Sequence, residues 1–309
     1  MAKNQLVNPM KQTNKVSLVL SSGGARGLAH IGAIEELESQ GFEIQAISGT
    51  SIGAVIGGIY AAGHLEAYKK WMCNLDKLDV FNLFDFTFSS QGFVKGERVF
   101  AELQKFIPDV AIESLPIHFT AVASDVTNNC EVVFDSGSLF DAMRASVAVP
   151  TILKPFIREN QILVDGGVVN PIPIDRVKRT EQDILVVVNL NANIPYYKEI
   201  KNREKNIEEE NNYRLKISSF MEKWLSLLPK TESPKKTLGF FELLNKSFDM
   251  MQDRVAEFTL EQHKPDILVN ISRQACGTFE FYKATEMIEY GRRMMHTALE
   301  QWVSKEVSN

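Results

Sequence analysis

Gly49-Thr50-Ser51-Ile52-Gly53 has the spacing of a serine nucleophile set on a sharp turn. A short apolar run, Ile44 to Ile47, precedes it, and a small-residue stretch, Ile52 to Ala62, follows. Strand, tight turn and helix in that order push the central hydroxyl out where a carbonyl can reach it. Gly49 and Gly53 lack the side chains that would collide inside such an elbow, and the helix N-terminus lies beneath the serine. A serine nucleophile needs a base to take its proton. Asp165 is the candidate, because it ends an apolar strand and precedes Gly166-Gly167, which leaves its carboxylate unobstructed at a sheet edge. It can accept the Ser51 proton directly or orient a histidine. Each residue also has a purely local role open to it: Ser51 as the cap of the following helix, and Asp165 as the stabiliser of its own turn.

A third segment, Gly23-Gly24-Ala25-Arg26-Gly27, follows the apolar run Val16 to Leu20. Consecutive residues with little or no side chain leave backbone N–H groups free to converge on an anion. Attack on an ester creates an oxyanion, and one such donor stabilises it by about 3–4 kcal/mol. Arg26 adds positive charge nearby. A phosphate loop is the rival use of glycine-rich turns. Neither G-x-x-x-x-G-K-[ST] nor G-x-G-x-x-G is present.

The histidines are His30, His64, His118, His263 and His296. An α/β-hydrolase triad runs Ser, Asp, His in chain order, so only His263 and His296 qualify by position. His263 precedes the apolar run at Ile267, the wrong strand end for a site, and His296 lies inside a helical pattern. His30 sits one turn into the helix after the glycine loop, where packing is its simpler role. The count favours a Ser51–Asp165 dyad.

These residues need a scaffold. Val16 to Leu20 and Ile44 to Ile47 read as buried strands, with a helix from Leu28 to Gln40 between them that Gly41 ends. Such a short crossover makes the two strands parallel, so both loops emerge at the carboxyl edge of the sheet, where α/β proteins bind ligands. Residues 64 to 116 are less regular, with helices at Leu65 to Leu75 and Gly96 to Phe106. Ile117 to Ala123 and Glu131 to Phe134 read as strands, Leu139 to Val147 as a helix, and Pro155 to Val164 as a hairpin turning at Glu159-Asn160. Further strands are expected at Ile184 to Asn189 and Ile267 to Ile271, and a closing helix at Tyr282 to Lys305. Residues 240 to 260 form an amphipathic helix (Phe241, Leu244, Phe248, Met251, Val255, Phe258), most simply packed on the core.

Lys198 to Asn212 is a charge run and reads as a solvated linker. After it Ile217, Phe220, Met221, Trp224, Leu225 and Leu228 repeat at helical spacing, flanked by Lys216, Lys223 and Lys230. Such a stripe packs on a core more often than on a bilayer. A lid or a membrane-contact helix is the other reading.

The chain has 309 residues, 44% of them hydrophobic, and a formal charge of −5. That length suits one large α/β domain or two small ones, and the charge argues against a general nucleic-acid binder. Cys73, Cys130 and Cys276 are odd in number and widely spaced, which points to a reducing compartment without a disulfide framework or zinc pair. The apolar run after the polar residues 1–15 is too short for a signal peptide. The expected location is cytoplasmic, with peripheral membrane contact if the stripe at 216–230 serves that purpose.

Taken in order, these segments resemble the blocks of a bacterial patatin-like phospholipase. Ser22 to Gly32 resembles the family's oxyanion block, Gly49 to Gly53 its nucleophile elbow, Ala145-Ser146-Val147-Ala148-Val149-Pro150 its intermediate block, and Asp165-Gly166-Gly167 its dyad aspartate. Ser22 departs from the glycine of many members, opening the loop as S-G-G. The resemblance implies a three-layer α/β/α patatin-like fold with a mainly parallel central sheet and a helical C-terminal region. It implies hydrolysis of lipid acyl esters, as by a phospholipase A or lysophospholipase, with Ser51 as nucleophile, Asp165 as base, the N–H groups of Gly23, Gly24 and Ala25, joined by that of Ile52, as the expected oxyanion donors, and no metal or other cofactor. An acyltransferase using the same dyad, or a regulatory protein that keeps the fold without turnover, stays open. The expected division is a polar tail (1–15), a catalytic core (16–192), a charged and amphipathic insertion (193–235), and C-terminal helices and a strand completing the domain (236–309). Head group and oligomeric state are left open by the sequence.

Overall fold

Val16, Leu18 and Leu20 of the first strand, β1 (Lys15–Leu20), point into one hydrophobic core, while Val19 points into a second. A strand buried on both faces belongs in the middle of a covered sheet. The computed structural model, which describes residues 13–83, 97–150, 152–197 and 240–308, places it there. β1 pairs in parallel with β2 (Glu43–Thr50) on one side and with β7 (Ile184–Ala192) on the other. β3 (His118–Asp125) continues the parallel run beyond β2, and β8 (Ile267–Ser272) beyond β7. Past β3 the sheet turns antiparallel, through β4 (Cys130–Phe134), β5 (Phe156–Arg158) and β6 (Gln161–Asp165). The order is β5-β6-β3-β2-β1-β7-β8, with β4 also on β3. The hairpin between β5 and β6 turns at Glu159, whose φ is 53°.

The larger core lies on the face covered by α1 (Leu28–Ser39), α2 (Ile52–Ala61), α6 (Leu139–Ser146) and α8 (Ala284–Ser308). Among the described residues between α2 and β3, α3 (Leu65–Asn74), α4 (Lys77–Leu83) and α5 (Glu97–Leu103) flank it. On the opposite face the smaller core holds Val19, Leu185 and Val187 under Ile172, Ile174 and Val177, with Ala256 of α7 (Phe240–His263). Sheet and helices therefore form the expected three layers, with β8 and α8 joining from the C-terminal region.

One expectation fails. The helix read as core at 240–260 exists, but most of its apolar side chains face out: Met250 is 71% exposed, Met251 59% and Phe258 56%. Periodicity shows that a helix has an apolar face without showing what covers it. α7 lies across the edge of the smaller core and presents Ala256 and the half-buried Leu260 to it. The charge run at 198–212 and the stripe at 217–228 lie outside the described residues. No helix among the described residues is long and apolar enough to cross a membrane.

Candidate active site

Ser51 joins β2 to α2 with φ 56° and ψ −124°. A residue with a side chain persists in that region only when its surroundings hold it there, at a cost of about 1–3 kcal/mol. Two constraints do so. The Ser51 N–H donates to Ser146 Oγ at 2.8 Å, and that hydroxyl donates to the Val122 carbonyl at 2.6 Å. At Gly53 the helix touches β1 so closely that a Cβ would lie 2.1 Å from the Leu20 carbonyl oxygen.

β6 then supplies the carboxylate. Because β6 runs antiparallel to β3, it enters the sheet from the carboxyl edge and ends at Asp165, which pairs with Ala123. The neighbouring residue, Val122, pairs with Thr50 on the other side of β3. Ser51 Oγ donates to Asp165 Oδ2 at 2.5 Å. The other carboxylate oxygen accepts the Gly167 N–H at 2.7 Å. The main chain of Asp165 is held as well, its N–H on the Ala148 carbonyl at 2.9 Å and its carbonyl by Ser124 Oγ at 3.0 Å. Asp165 is 3% exposed. Burial pushes its carboxyl up to about 6, against the opposing pull of the Ser51 and Gly167 hydrogen bonds. It remains ionised at neutral pH.

No histidine hydrogen-bonds to either residue. His30 is buried in α1, donates through Nε2 to the Ser21 carbonyl at 3.0 Å, and is pushed down to about 4 by burial. It braces the loop that follows β1. His296 pairs with Glu36 at 2.8 Å on the far helix pair.

The glycine loop lies beside the elbow, but its groups divide. Gly24 has φ 58°, and a Cβ there would lie 2.8 Å from the Thr278 carbonyl oxygen, so only glycine fits. The Ala25 N–H, expected to face the oxyanion, donates to Thr278 at 2.9 Å instead. Arg26 is turned away from the serine too. Its guanidinium donates to the Leu190 carbonyl, the Cys276 carbonyl and Asn191 Oδ1 at 3.0, 3.0 and 2.9 Å, and burial lowers its pKa. Both residues fasten the loop to C-terminal segments that no local pattern could have announced. The N–H groups of Gly23, Gly24 and Ile52 have no acceptor among the described residues. Ser22, the departure from the usual glycine, holds the chain through its N–H on Pro171, while its Oγ is buried without a partner among the described residues.

A cavity of about 130 Å³ opens at Ser51 and Gly24. Its walls are apolar, with Val55, Met72, Leu103, Val147, Leu153 and Phe281 among them. Much of the wall comes from α3 to α5, the region whose sequence gave helices without chemistry. Its signal was helical spacing alone, as in Tyr68, Met72 and Leu75. Two further contacts escaped the sequence reading. Ser146 was visible only as part of a block, and Gln252 of α7 carried no signal at all; its Nε2 donates to the Gly167 carbonyl at 2.8 Å. Among the described residues no cluster of three or more His, Cys, Asp or Glu side chains could hold a metal ion.

Residues 18–178 match the family model described as patatin-like phospholipase. An uncharacterized NTE family protein of Mycobacterium tuberculosis is 32% identical over 334 aligned positions, covering 93% of this chain and 91% of that protein. A lysophospholipase, nte1 of Emericella nidulans, is 31% identical over 182 positions, covering 57% of this chain and 12% of its own length. VipD from Legionella pneumophila, a solved structure, aligns over 93% of this chain and 67% of that one at 14% identity, with a TM-score of 0.44.

Proposed function

The chain belongs to the patatin-like phospholipase family, and from that premise we propose a lipid acyl-ester hydrolase that works through Ser51 and Asp165 without a histidine. Membership makes it a lipid ester hydrolase. The dyad, the oxyanion donors and a preference for single-chain substrates such as lysophospholipids are our own assignment. Asp165, ionised at neutral pH, takes the proton of Ser51 as Oγ attacks the acyl carbonyl. The N–H groups of Gly23, Gly24 and Ile52 hold the oxyanion that forms. Asp165 returns the proton to the leaving alcohol. It then takes one from water, whose hydroxide attacks the acyl-serine, and gives that proton to Ser51 Oγ as the fatty acid leaves. Residues 16–192 carry this chemistry, and 236–309 complete the same domain by supplying β8, α8 and the segment that pins the glycine loop.

The observation that carries this reading is the 2.5 Å hydrogen bond from Ser51 Oγ to Asp165 Oδ2, formed beside an apolar cavity that Ser51 itself lines. The size of that cavity supports one acyl chain at a time. Lysophospholipid and short p-nitrophenyl ester hydrolysis by wild type, Ser51→Ala and Asp165→Ala tests it. Turnover is expected from wild type alone, and a fluorophosphonate probe is expected to label Ser51. Full activity in either variant would sink the assignment.

A further inference from the structure

Two cavities meet at the side chain of Trp71. The first is the apolar cavity that begins at Ser51 and Gly24. The second is a more open groove of about 420 Å³ whose walls include Asp79, Asn82, Arg98 and Glu102. Trp71, Leu75 and Leu83 line both, so they form the partition between a dry compartment and a polar one. Trp71 is the bulkiest of the three, and two other rings pack against its own. The Tyr68 ring lies 6.0 Å away at 50° and the Phe106 ring 5.8 Å away at 55°. Two such ring contacts help hold the indole in place as a wall.

We propose that Trp71 sets the acyl-chain length this enzyme accepts, a deepening that rests on the hydrolase reading above. An apolar cavity of about 150 Å³ takes up one benzene, six carbons. The compartment next to Ser51, at about 130 Å³, therefore houses an acyl segment of about six carbons before it meets the indole. Carbons beyond that number must pass Trp71 into the groove, where charged side chains give an alkyl chain no gain over water. The favoured substrates are esters of one straight chain of short to medium length. Each methylene housed against the apolar wall is worth roughly fourfold in kcat/KM, and the gain stops at the indole.

The test is a series of straight-chain p-nitrophenyl esters from C4 to C14, kept below their micellar concentrations, with wild type, Trp71→Ala, Trp71→Phe and Ser51→Ala. For wild type, log kcat/KM is expected to climb to about C6 and then level off. A climb that continues unbroken to C12 overturns the proposal without any variant. In Trp71→Ala the two compartments join, so the break is expected to move by four carbons or more, raising the C12-to-C6 ratio at least tenfold. Trp71→Phe, which keeps a ring against Tyr68 and Phe106, shifts it less in the same direction. A break that stays in place in whichever variant is folded, judged by circular dichroism, also overturns the proposal. If neither variant folds, the wild-type profile decides. Turnover by Ser51→Ala would strike the underlying reading, whereas an unmoved break with Ser51→Ala inactive strikes Trp71 alone.

Discussion

Ser51 and Asp165 stand 114 residues apart in the chain and share a 2.5 Å hydrogen bond, because β3 lies between their strands. Thr50 pairs with Val122 and Asp165 with Ala123, so consecutive residues of one strand set the relative height of nucleophile and base. The first prediction follows from the burial of that pair. Asp165 can accept a proton only when ionised, and burial has pushed it up to about 6. The kcat/KM of a short ester should fall about tenfold for each pH unit below 6 and level off above it. An acid limb close to the ordinary carboxylate value of about 3.9 would show that Asp165 does not govern turnover.

The same burial has a cost in stability, and its sign is opposite to that of a salt-bridged aspartate. A carboxyl raised in the folded state binds its proton more tightly there than in the unfolded chain. Its contribution to stability is therefore full below about pH 3.8 and is lost as the pH rises through about 6. Asp165→Asn keeps an acceptor for the Gly167 N–H and removes the buried charge. Its gain over wild type should be near zero at pH 4 and reach at most about 3 kcal/mol at pH 7.5. Chemical denaturation of both proteins at the two pH values measures it. A wild type more stable than Asp165→Asn at pH 7.5 would contradict the sign.

Much of this arrangement was legible in the sequence because it is written locally. β1 and β2 are short apolar runs, the elbow is one pentapeptide, and Asp165 with its glycines is one tripeptide. What the sequence hid are contacts made across the fold. Nothing near Ala25 announces that its N–H meets Thr278, or that Arg26 reaches Cys276 some 250 residues away. The apolar face of α7 was readable but its exposure was not, since a helical stripe has the same period whether or not a neighbour covers it. The cavity wall was hidden for a related reason. Met72, Leu103 and Leu153 sit on separate elements and become one surface only when those elements assemble.

Ser146 shows how such a contact matters to chemistry. Its hydroxyl accepts from the Ser51 N–H and donates to Val122, fastening a strained backbone to the strand that sets the dyad's height. Ser146→Ala would leave a buried donor and a buried acceptor unmet, at about 1–3 kcal/mol each at most. The elbow should relax toward an ordinary φ, moving Ser51 Oγ off Asp165. Fluorophosphonate labelling of Ser51 is expected to slow by tenfold or more, beyond what the fraction unfolded accounts for. Labelling at the wild-type rate in a destabilised but folded Ser146→Ala protein would reduce Ser146 to a packing residue.

Gln252 acts one step further out. Its Nε2 holds the Gly167 carbonyl at 2.8 Å, and the N–H of that same glycine lies 2.7 Å from Asp165 Oδ1. The bond to Oδ1 stabilises the charged carboxylate and opposes the rise that burial imposes. Freeing the Gly167 turn should weaken it, so Gln252→Ala is expected to move the acid limb of kcat/KM above 6, by up to about one pH unit. Gln252→Glu should move it further, because a carboxylate cannot donate to the Gly167 carbonyl and adds a like charge near Asp165. Both variants should keep kcat at pH 8 closer to wild type than kcat at pH 6, since a base with a raised pKa is fully ionised again at high pH. A limb that stays in place while kcat falls equally at every pH would mean that α7 only packs against the site, with no hold on the proton that Asp165 carries.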